Sequence, residues 1–178
     1  MSEIRLTRAL GADAQIVRNM FVGYFYDMSQ YDDNLIINDY GLPMWAPFGL
    51  PGPRTAEECV SFNWWIRDRC ELYVIRAGGS PAGFVIICAD AAHLPDGVEY
   101  ELMDFYVAPR YRRQGVGRRA ARLALDLHRG AWVVYQLARN APALRFWHAL
   151  VADYTGGDFT MLDEGTQQRF NNTEALRH

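Results

Sequence analysis

A glycine- and arginine-rich loop at residues 108–117 is the part of this sequence best suited to chemistry. It follows an apolar strand that ends at Val107, and Gly115 and Gly117 open the helix after it. Glycine lets the backbone approach a ligand closely, and the first N–H groups of a helix have no partner within it. Six arginines lie in the loop and the first turns of the helix, whose dipole adds positive charge. The loop therefore predicts a pyrophosphate cradle.

Other phosphate-binding motifs fit the loop less well. Gly115–Ala120 matches the dinucleotide pattern G-x-G-x-x-A, but seven residues separate Val107 from Gly115, whereas that turn follows its strand directly. The next strand should then end in an acidic residue, but it ends in Arg139-Asn140, which leaves only an NADP site open. A P-loop is excluded because the chain has no lysine. The remaining alternative is a capped helix with a solvated arginine face.

Hydrophobic periodicity predicts the elements that position this loop. Their order, β-α-α-β-β-β-α-β-α-β-β, indicates an α/β fold with a mixed sheet and helices on both faces. Residues 31–53 are expected to form a long irregular loop, because four prolines interrupt it. We predict strands over residues 4–7, 72–76, 83–88, 99–107, 132–138, 159–161 and 167–170, and helices over residues 11–29, 55–69, 117–129 and 142–151.

Two signatures in this order resemble one known family. The pattern Arg112-x-x-Gly115-x-Gly117, preceded by Val107-x-Pro109, resembles the acyl-CoA loop of the GNAT superfamily of N-acetyltransferases. The stretch Asn140–Trp147 begins 33 residues after Val107 and resembles the second signature of that superfamily, an Asn that opens a helix carrying an Ala and paired aromatics. The resemblance covers roughly residues 1–155. Asp153–Gly157 also resembles a bacterial subgroup of small predicted acetyltransferases.

The resemblance implies a splayed sheet with acetyl-CoA between two strands. Pantetheine would pair with backbone groups of Phe105 and Val107, and Asn140 and Phe146 would contact its arm. The alternative for Phe146 is ordinary core packing. The pyrophosphate would lie on the loop. The full predicted cofactor set is Phe105, Tyr106, Val107, Arg112, Arg113, Gln114, Gly115, Val116, Gly117, Arg118, Asn140 and Phe146.

Glu101 is the predicted general base for an attacking amine. By resemblance, it occupies the strand position where some superfamily members carry a base. The base would remove the proton of the amine directly or through water. Strict alternation puts Glu101 on the same face as Phe105 and opposite Asp104. A bulge near Asp104 would change that parity, so Asp104 is the second choice. For both carboxylates the alternative is a solvated or ion-paired side chain. The oxyanion would be held by the amide of Val107 or Phe105.

Trp147 departs from the family pattern. Many members carry a tyrosine at this position, which protonates the leaving thiolate, and an indole cannot donate a proton in that way. Either another group serves as the acid or the thiolate leaves unassisted. Tyr154, seven residues later, is the predicted substitute.

The first helix and the loop after it are expected to form the acceptor wall. Residues 19–53 contain four aspartates and no Lys or Arg, together with several aromatic residues. This combination suits a cationic amine through charge pairing and cation–π contact, while the alternative is a solvated surface with buried tyrosines. The aspartates, tyrosines and tryptophan of this predicted wall are Asp27, Asp32, Asp33, Asp39, Tyr24, Tyr26, Tyr31, Tyr40 and Trp45.

Composition narrows the class of protein. The 178 residues suggest one domain, which the resemblance implies is a single acyl-CoA N-acyltransferase domain over residues 1–178. The three cysteines lack metal-ligand spacing, so no metal is expected. Reduced cysteines and the lack of a signal or spanning segment predict a cytoplasmic protein without a membrane partner. The net charge of −3 argues against nucleic acid. We expect a small-molecule or peptide amine acceptor; the apolar C-terminal strands could pair two subunits as a homodimer. The alternative function is a non-catalytic acyl-CoA-binding or regulatory module.

Overall fold

A computed structural model describes residues 2–46 and 52–173. These residues form a mixed α/β structure. Its elements, in chain order, are β1 Ile4–Arg8, α1 Ala12–Met28, β2 Leu35–Ile37, β3 Pro43–Trp45, α2 Ala56–Asn63, β4 Glu71–Ala77, β5 Ser80–Cys88, β6 Tyr100–Val107, α3 Val116–Leu125, β7 Ala131–Tyr135, α4 Ala141–Thr155, β8 Thr160–Leu162 and β9 Gln167–Asn171.

Seven strands form one sheet in the order β1-β4-β5-β6-β7-β9-β8. All neighbours are antiparallel except β6 and β7, which run parallel. One apolar layer packs between the sheet and α3 and α4, and a second packs against α1 and α2. The predicted fold class, a mixed sheet with helices on both faces, is confirmed.

The parallel pair β6–β7 splays apart part-way along its length. Only Tyr100 to Leu102 pair with Trp132 to Val134, and β7 ends at Tyr135 while β6 continues to Val107. A bulge lies just beyond the paired segment, because Ile87 faces Leu102 while Ile86 faces Asp104, which leaves Met103 as the extra residue. The early end of this pairing therefore opens a gap between β6 and β7.

The loop at 31–53 is more regular than predicted. Leu35–Ile37 and Pro43–Trp45 pair as a small antiparallel sheet. Pro43 is tolerated because it begins its strand, where a missing N–H costs little. Asn38 organises the turn: its side chain donates to the Pro53 carbonyl at 2.7 Å and accepts from the Leu42 amide at 3.0 Å. Pro47 and Pro51, two of the prolines behind the prediction, lie outside the described residues.

Three helix ends differ from the prediction, and β7 ends at Tyr135, three residues earlier than predicted. Helix α2 begins as expected, with Thr55 accepting from the Glu58 amide at 3.2 Å, but it ends at Asn63. A separate 3-10 turn at Arg67–Arg69 follows and brings Arg67 against the sheet. Helix α3 ends at Leu125, and α4 continues to Thr155, where Gly156 adopts a left-handed conformation (φ 65°).

Candidate active site

A cleft of about 530 Å³ opens where β6 and β7 separate. One wall is the C-terminal end of α1, and the other is formed by the end of β6, the start of α3 and the start of α4. Its lining is largely apolar and aromatic, with several charged groups at the mouth. The lining residues are Tyr24, Asp27, Met28, Gln30, Tyr31, Phe105, Tyr106, Val107, Arg112, Arg113, Gly115, Gly117, Arg118, Asn140, Pro142, Ala143, Phe146 and Trp147.

The inner edge of β6 presents backbone groups to the cleft. The Ala108 amide donates to the Ala82 carbonyl of β5 at 2.9 Å, so by alternation the peptide groups of Phe105 and Val107 face the other side. On that side β7 has already ended its pairing with β6. An extended amide-containing ligand could pair here as an added strand.

The loop after β6 ends at a helix start open to the cleft. Gly115 takes the left-handed conformation at the N-cap (φ 77°) and has no side-chain cap, so the first N–H groups of α3 are available to an anion. A Cβ on Gly117 would lie 3.6 Å from the Phe146 ring and 3.7 Å from Val107, so a side chain at this position would enter the cradle. The glycines therefore fit a pyrophosphate.

The neighbouring loop residues differ in whether their side chains line the cleft. Arg113 lines the cleft, while Gln114 donates to the Arg110 carbonyl at 2.7 Å and Val116 is buried in the core, so the latter two offer backbone rather than side chain. Arg118 lines the cleft and pairs with Asp153 of α4 at 2.6 Å.

Arg112 lines the cleft, but its guanidinium is held by other residues of the chain and does not point freely toward the phosphate cradle. Its Nε donates to the Val107 carbonyl at 2.6 Å, its Nη2 pairs with Asp27 of α1, and its guanidinium lies 5.5 Å from the centre of the Tyr106 ring. The Val107 carbonyl predicted for pantetheine is thus occupied by a residue of the chain itself.

Asn140 and Phe146 lie on the α4 side of the cleft, as the resemblance implies. The Asn140 Oδ1 caps α4 by accepting from the Ala143 amide at 3.1 Å, and its NH₂ group is the donor end of a residue that lines the cleft. Phe146 stacks on Phe105 with ring centres 6.0 Å apart. Both residues are therefore positioned by α4 packing on β6.

Glu101 lies next to the closed end of the splay and does not line the cleft itself. Its strand neighbours are Cys88 and Val133. The pKa of Glu101 is raised from 4.5 to about 7, mainly by burial and in addition by the Asp104 charge, while Arg67 opposes the shift. A carboxylate with such a pKa is suited to accept a proton near neutral pH.

The bulge corrects the predicted strand faces. Leu102, Phe105 and Val107 pack on the α3–α4 side, while Met103 and Tyr106 pack on the α1–α2 side. Because Met103 is an extra residue, Glu101 shares the α1–α2 side with Asp104 and not the side of Phe105. Strict alternation therefore fails at the Met103 bulge, and its prediction that Glu101 shares a face with Phe105 is wrong.

Asp104, the second choice for the base, is held in a buried ion pair. Its two oxygens accept from Arg67 at 2.9 and 3.3 Å, and only 3% of the residue is exposed. The hydroxyl of Tyr24 also forms a hydrogen bond with Asp104. The pKa of Tyr24 is raised well above 10, mainly because the side chain is buried and also because it faces the Asp104 carboxylate. Asp104 therefore orders the wall beside Glu101. Sequence reasoning missed Arg67, which lies 37 residues from Asp104 and carries no motif.

The sequence profile of the acetyltransferase (GNAT) family matches residues 42–150. The chain belongs to the GNAT acetyltransferase family. Solved structures agree in fold. The spermidine N-acetyltransferase SpeG from Vibrio cholerae, as a mutant, has a TM-score of 0.56 and 13% identity, covering 98% of this chain and 96% of that one. No curated protein matches the chain in sequence.

Two further GNAT-fold structures are similar over nearly the whole chain. An acetyltransferase from Thermus thermophilus has a TM-score of 0.55 and 18% identity, covering 96% of this chain and 97% of its own. The Salmonella typhimurium protein yncA, whose structure contains its cofactor acetyl-CoA, has a TM-score of 0.51 and 17% identity over 96% and 94%. At these identities the likeness shows the fold.

Trp147, which stands at the family's tyrosine position, and Tyr154, the predicted substitute acid, lie in different places in this GNAT protein. Trp147 lines the cleft and packs edge-on against Phe105, with ring centres 5.3 Å apart. Tyr154 is 6% exposed in the α3–α4 layer, its hydroxyl donates to Asp126 at 2.8 Å, and burial raises its pKa. Seven residues along α4 carry Tyr154 two helical turns away from Trp147. This position corrects the expectation that Tyr154 serves the cleft.

Within residues 2–46 and 52–173, no helix combines the length and hydropathy needed to cross a membrane. In the same residues, no three His, Cys, Asp or Glu side chains group as metal ligands.

Proposed function

We propose that this GNAT protein transfers the acetyl group of acetyl-CoA to a primary amine by direct attack in a ternary complex. The observation that carries the proposal is the backbone edge of β6 beyond Leu102, which β7 leaves unpaired and which runs along the cleft into the uncapped start of α3. An amide-rich arm ending in a pyrophosphate matches both features at once.

The donor would be held mainly by backbone. The peptide groups of Phe105 and Val107 would pair with the pantetheine amides, the Asn140 NH₂ would donate to the arm, and the N–H groups around Gly115 would bind the pyrophosphate. Arg113, which lines the cleft, adds positive charge there. The thioester, when bound, supplies an activated acetyl group with a thiolate leaving group.

Glu101 would act as the base for the attacking amine. Its pKa of about 7 leaves it largely deprotonated at slightly alkaline pH. Because Glu101 lies beside the cleft and not in its lining, it would take the proton through water. The amine nitrogen then bonds to the carbonyl carbon, the C–S bond breaks, and coenzyme A leaves as the thiolate.

The acceptor would approach from the α1 wall. Of the predicted acidic and aromatic residues, Tyr24, Asp27 and Tyr31 line the cleft. Asp33 instead pairs with Arg139 at 2.5 Å, and Trp45 packs against Phe25. The part of the predicted wall that faces the cleft is therefore the last two turns of α1 and the residues just after it.

A non-catalytic acyl-CoA-binding module is the second candidate. Trp147 favours it, because a buried indole stands at the cleft position where many family members carry the acidic tyrosine. The two candidates share cofactor binding and differ in turnover.

Calorimetric titration with acetyl-CoA, with NADPH as control, tests the binding step that both candidates share. Micromolar or tighter binding of acetyl-CoA alone supports the cleft assignment, and its absence refutes both candidates. Thiol release on a panel of primary amines then separates them: turnover supports the transferase, and unchanged binding without turnover supports the module.

A further inference from the structure

The guanidinium of Arg112 occupies a cation site built by other residues. The Asp27 carboxylate pairs with it, the Val107 carbonyl accepts from it at 2.6 Å, and the Tyr106 ring lies 5.5 Å from its central carbon. A carboxylate, a carbonyl and an aromatic face are the groups with which proteins recognise ammonium ions. All of these residues line the cleft.

The proposed donor would draw Arg112 away from this site in two ways. The Val107 carbonyl is the acceptor that the pantetheine arm needs, so a bound donor displaces the Nε of Arg112. The phosphates of the donor lie on the loop that carries Arg112, and a guanidinium pairs well with phosphate. Once Arg112 turns to the phosphates, Asp27 is left facing the cleft without a counter-charge.

We propose that Asp27 and the face of Tyr106 form a subsite for a second cationic nitrogen of the acceptor, and that Arg112 occupies this subsite until acyl-CoA binds. This inference rests on the proposed function. The acceptor class is then a primary amine that carries another positive charge some distance away. Donor and acceptor bind with positive coupling, because the donor removes the internal competitor.

Strand geometry sets the spacing between the two nitrogens. The subsite lies beside Tyr106 and Val107, and the attacking amine, whose proton would reach Glu101 through water, would lie toward the start of the splay at the Met103 bulge. Three residues of extended strand span about 10 Å. An acceptor that reaches both places is a diamine with nitrogens separated by about this length, as in extended heptane-1,7-diamine.

Equilibrium binding of heptane-1,7-diamine and of heptylamine tests the subsite. Each amine is titrated into the protein alone and into the protein saturated with coenzyme A, which lacks the acetyl group and prevents turnover. We expect the diamine to bind the coenzyme A complex at least tenfold more tightly than heptylamine. Without coenzyme A, we expect this preference to be largely lost.

Two matched variants identify the carboxylate. Asp27→Asn should remove the preference for the diamine, while Asp33→Asn, which changes an exposed carboxylate after the same helix, should retain it. Arg112→Gln should weaken coenzyme A binding but allow the diamine to bind without it. Circular dichroism shows whether each variant is folded.

The outcomes separate this inference from the function on which it rests. If coenzyme A fails to bind the wild-type protein, both are refuted. If coenzyme A binds but the two amines have equal affinity, or if the preference survives in folded Asp27→Asn, only the subsite is refuted. A diamine preference lost in Asp27→Asn and kept in Asp33→Asn supports it.

Discussion

Glu101 is a carboxylate whose burial moves its titration into the neutral range. Its pKa of about 7 predicts that kcat/KM of the wild-type protein rises with pH through that value, since the base acts when deprotonated. Glu101→Gln should lower the rate mainly near neutral pH and less at high pH, where free amine is plentiful. The pH–rate profile of thiol release measures this, and identical profiles would remove Glu101 as the base.

The same shift has a consequence for stability. Between pH 4.5 and 7 the folded state holds a proton on Glu101 that the unfolded state has lost, so stability falls as pH rises through this window. Glu101→Gln lacks this loss. The free energy of unfolding of Glu101→Gln, relative to that of wild type, should therefore rise by up to about 3 kcal/mol between pH 4 and pH 8. Urea unfolding at the two pH values measures this difference. A pH-independent difference would contradict the buried-carboxylate assignment.

At this scale, sequence identified the residues better than their contacts. Glu101, Asn140 and Gly117 carry recognisable motif positions, and the structure puts each at or beside the cleft. The partner of Arg112, Asp27, lies 85 residues away, and no local pattern reports such a contact. Tyr154 was misplaced because spacing along α4 does not tell which layer the side chain joins.

The start of α3 is the element on which donor binding depends. Gly117→Glu would place a side chain between Val107 and Phe146 and a negative charge where phosphates lie, so it should abolish acetyl-CoA binding. Leu123→Glu adds the same charge to an exposed position of the same helix and should leave the affinity unchanged. Calorimetry measures the acetyl-CoA affinity of both variants. Full affinity in folded Gly117→Glu would refute the assignment of this loop as the phosphate cradle.

The start of α4 combines a structural and a binding role in Asn140. Asn140→Asp keeps the oxygen that caps the helix but loses the amide donor, so it should weaken acetyl-CoA binding about tenfold with little loss of stability. Asn140→Ala should show the same weakening and also lose about 1 kcal/mol of stability. Equal affinities for Asn140→Asp and wild type would show that Asn140 serves only as a cap.

Elements were predictable where periodicity or capping is local, and less so where tertiary contacts decide. The capping residues of α2 and α4 and the strands β4 to β6 follow from the sequence. The bulge at Met103 does not, because alternation in a single strand cannot report an extra residue relative to its neighbour. The early end of α2 also reflects a tertiary contact that the sequence does not show, since Arg67 lies beyond the helix and pairs with Asp104.

The whole molecule has two apolar layers that share one sheet, and this predicts that the described chain unfolds as a single domain. Trp64 lies in the α1–α2 layer, whereas Trp132 and Trp147 lie in the α3–α4 layer. Arg67→Met leaves the buried Asp104 charge uncompensated in the first layer and should cost about 3–5 kcal/mol. Arg18→Met breaks an exposed pair and should cost less than about 1 kcal/mol.

If the layers form one cooperative unit, Arg67→Met lowers a single transition that tryptophan fluorescence and circular dichroism report at the same midpoint. Acetyl-CoA at a hundred times its Kd should then raise the stability of the whole chain by about 2.7 kcal/mol, although it contacts only the cleft. Two separate transitions, with only the first moved by Arg67→Met, would divide the layers into independent units. In that case a ligand bound between α1 and α4 would contact both units and couple their unfolding. Its stabilising effect would then appear as the replacement of two transitions by one.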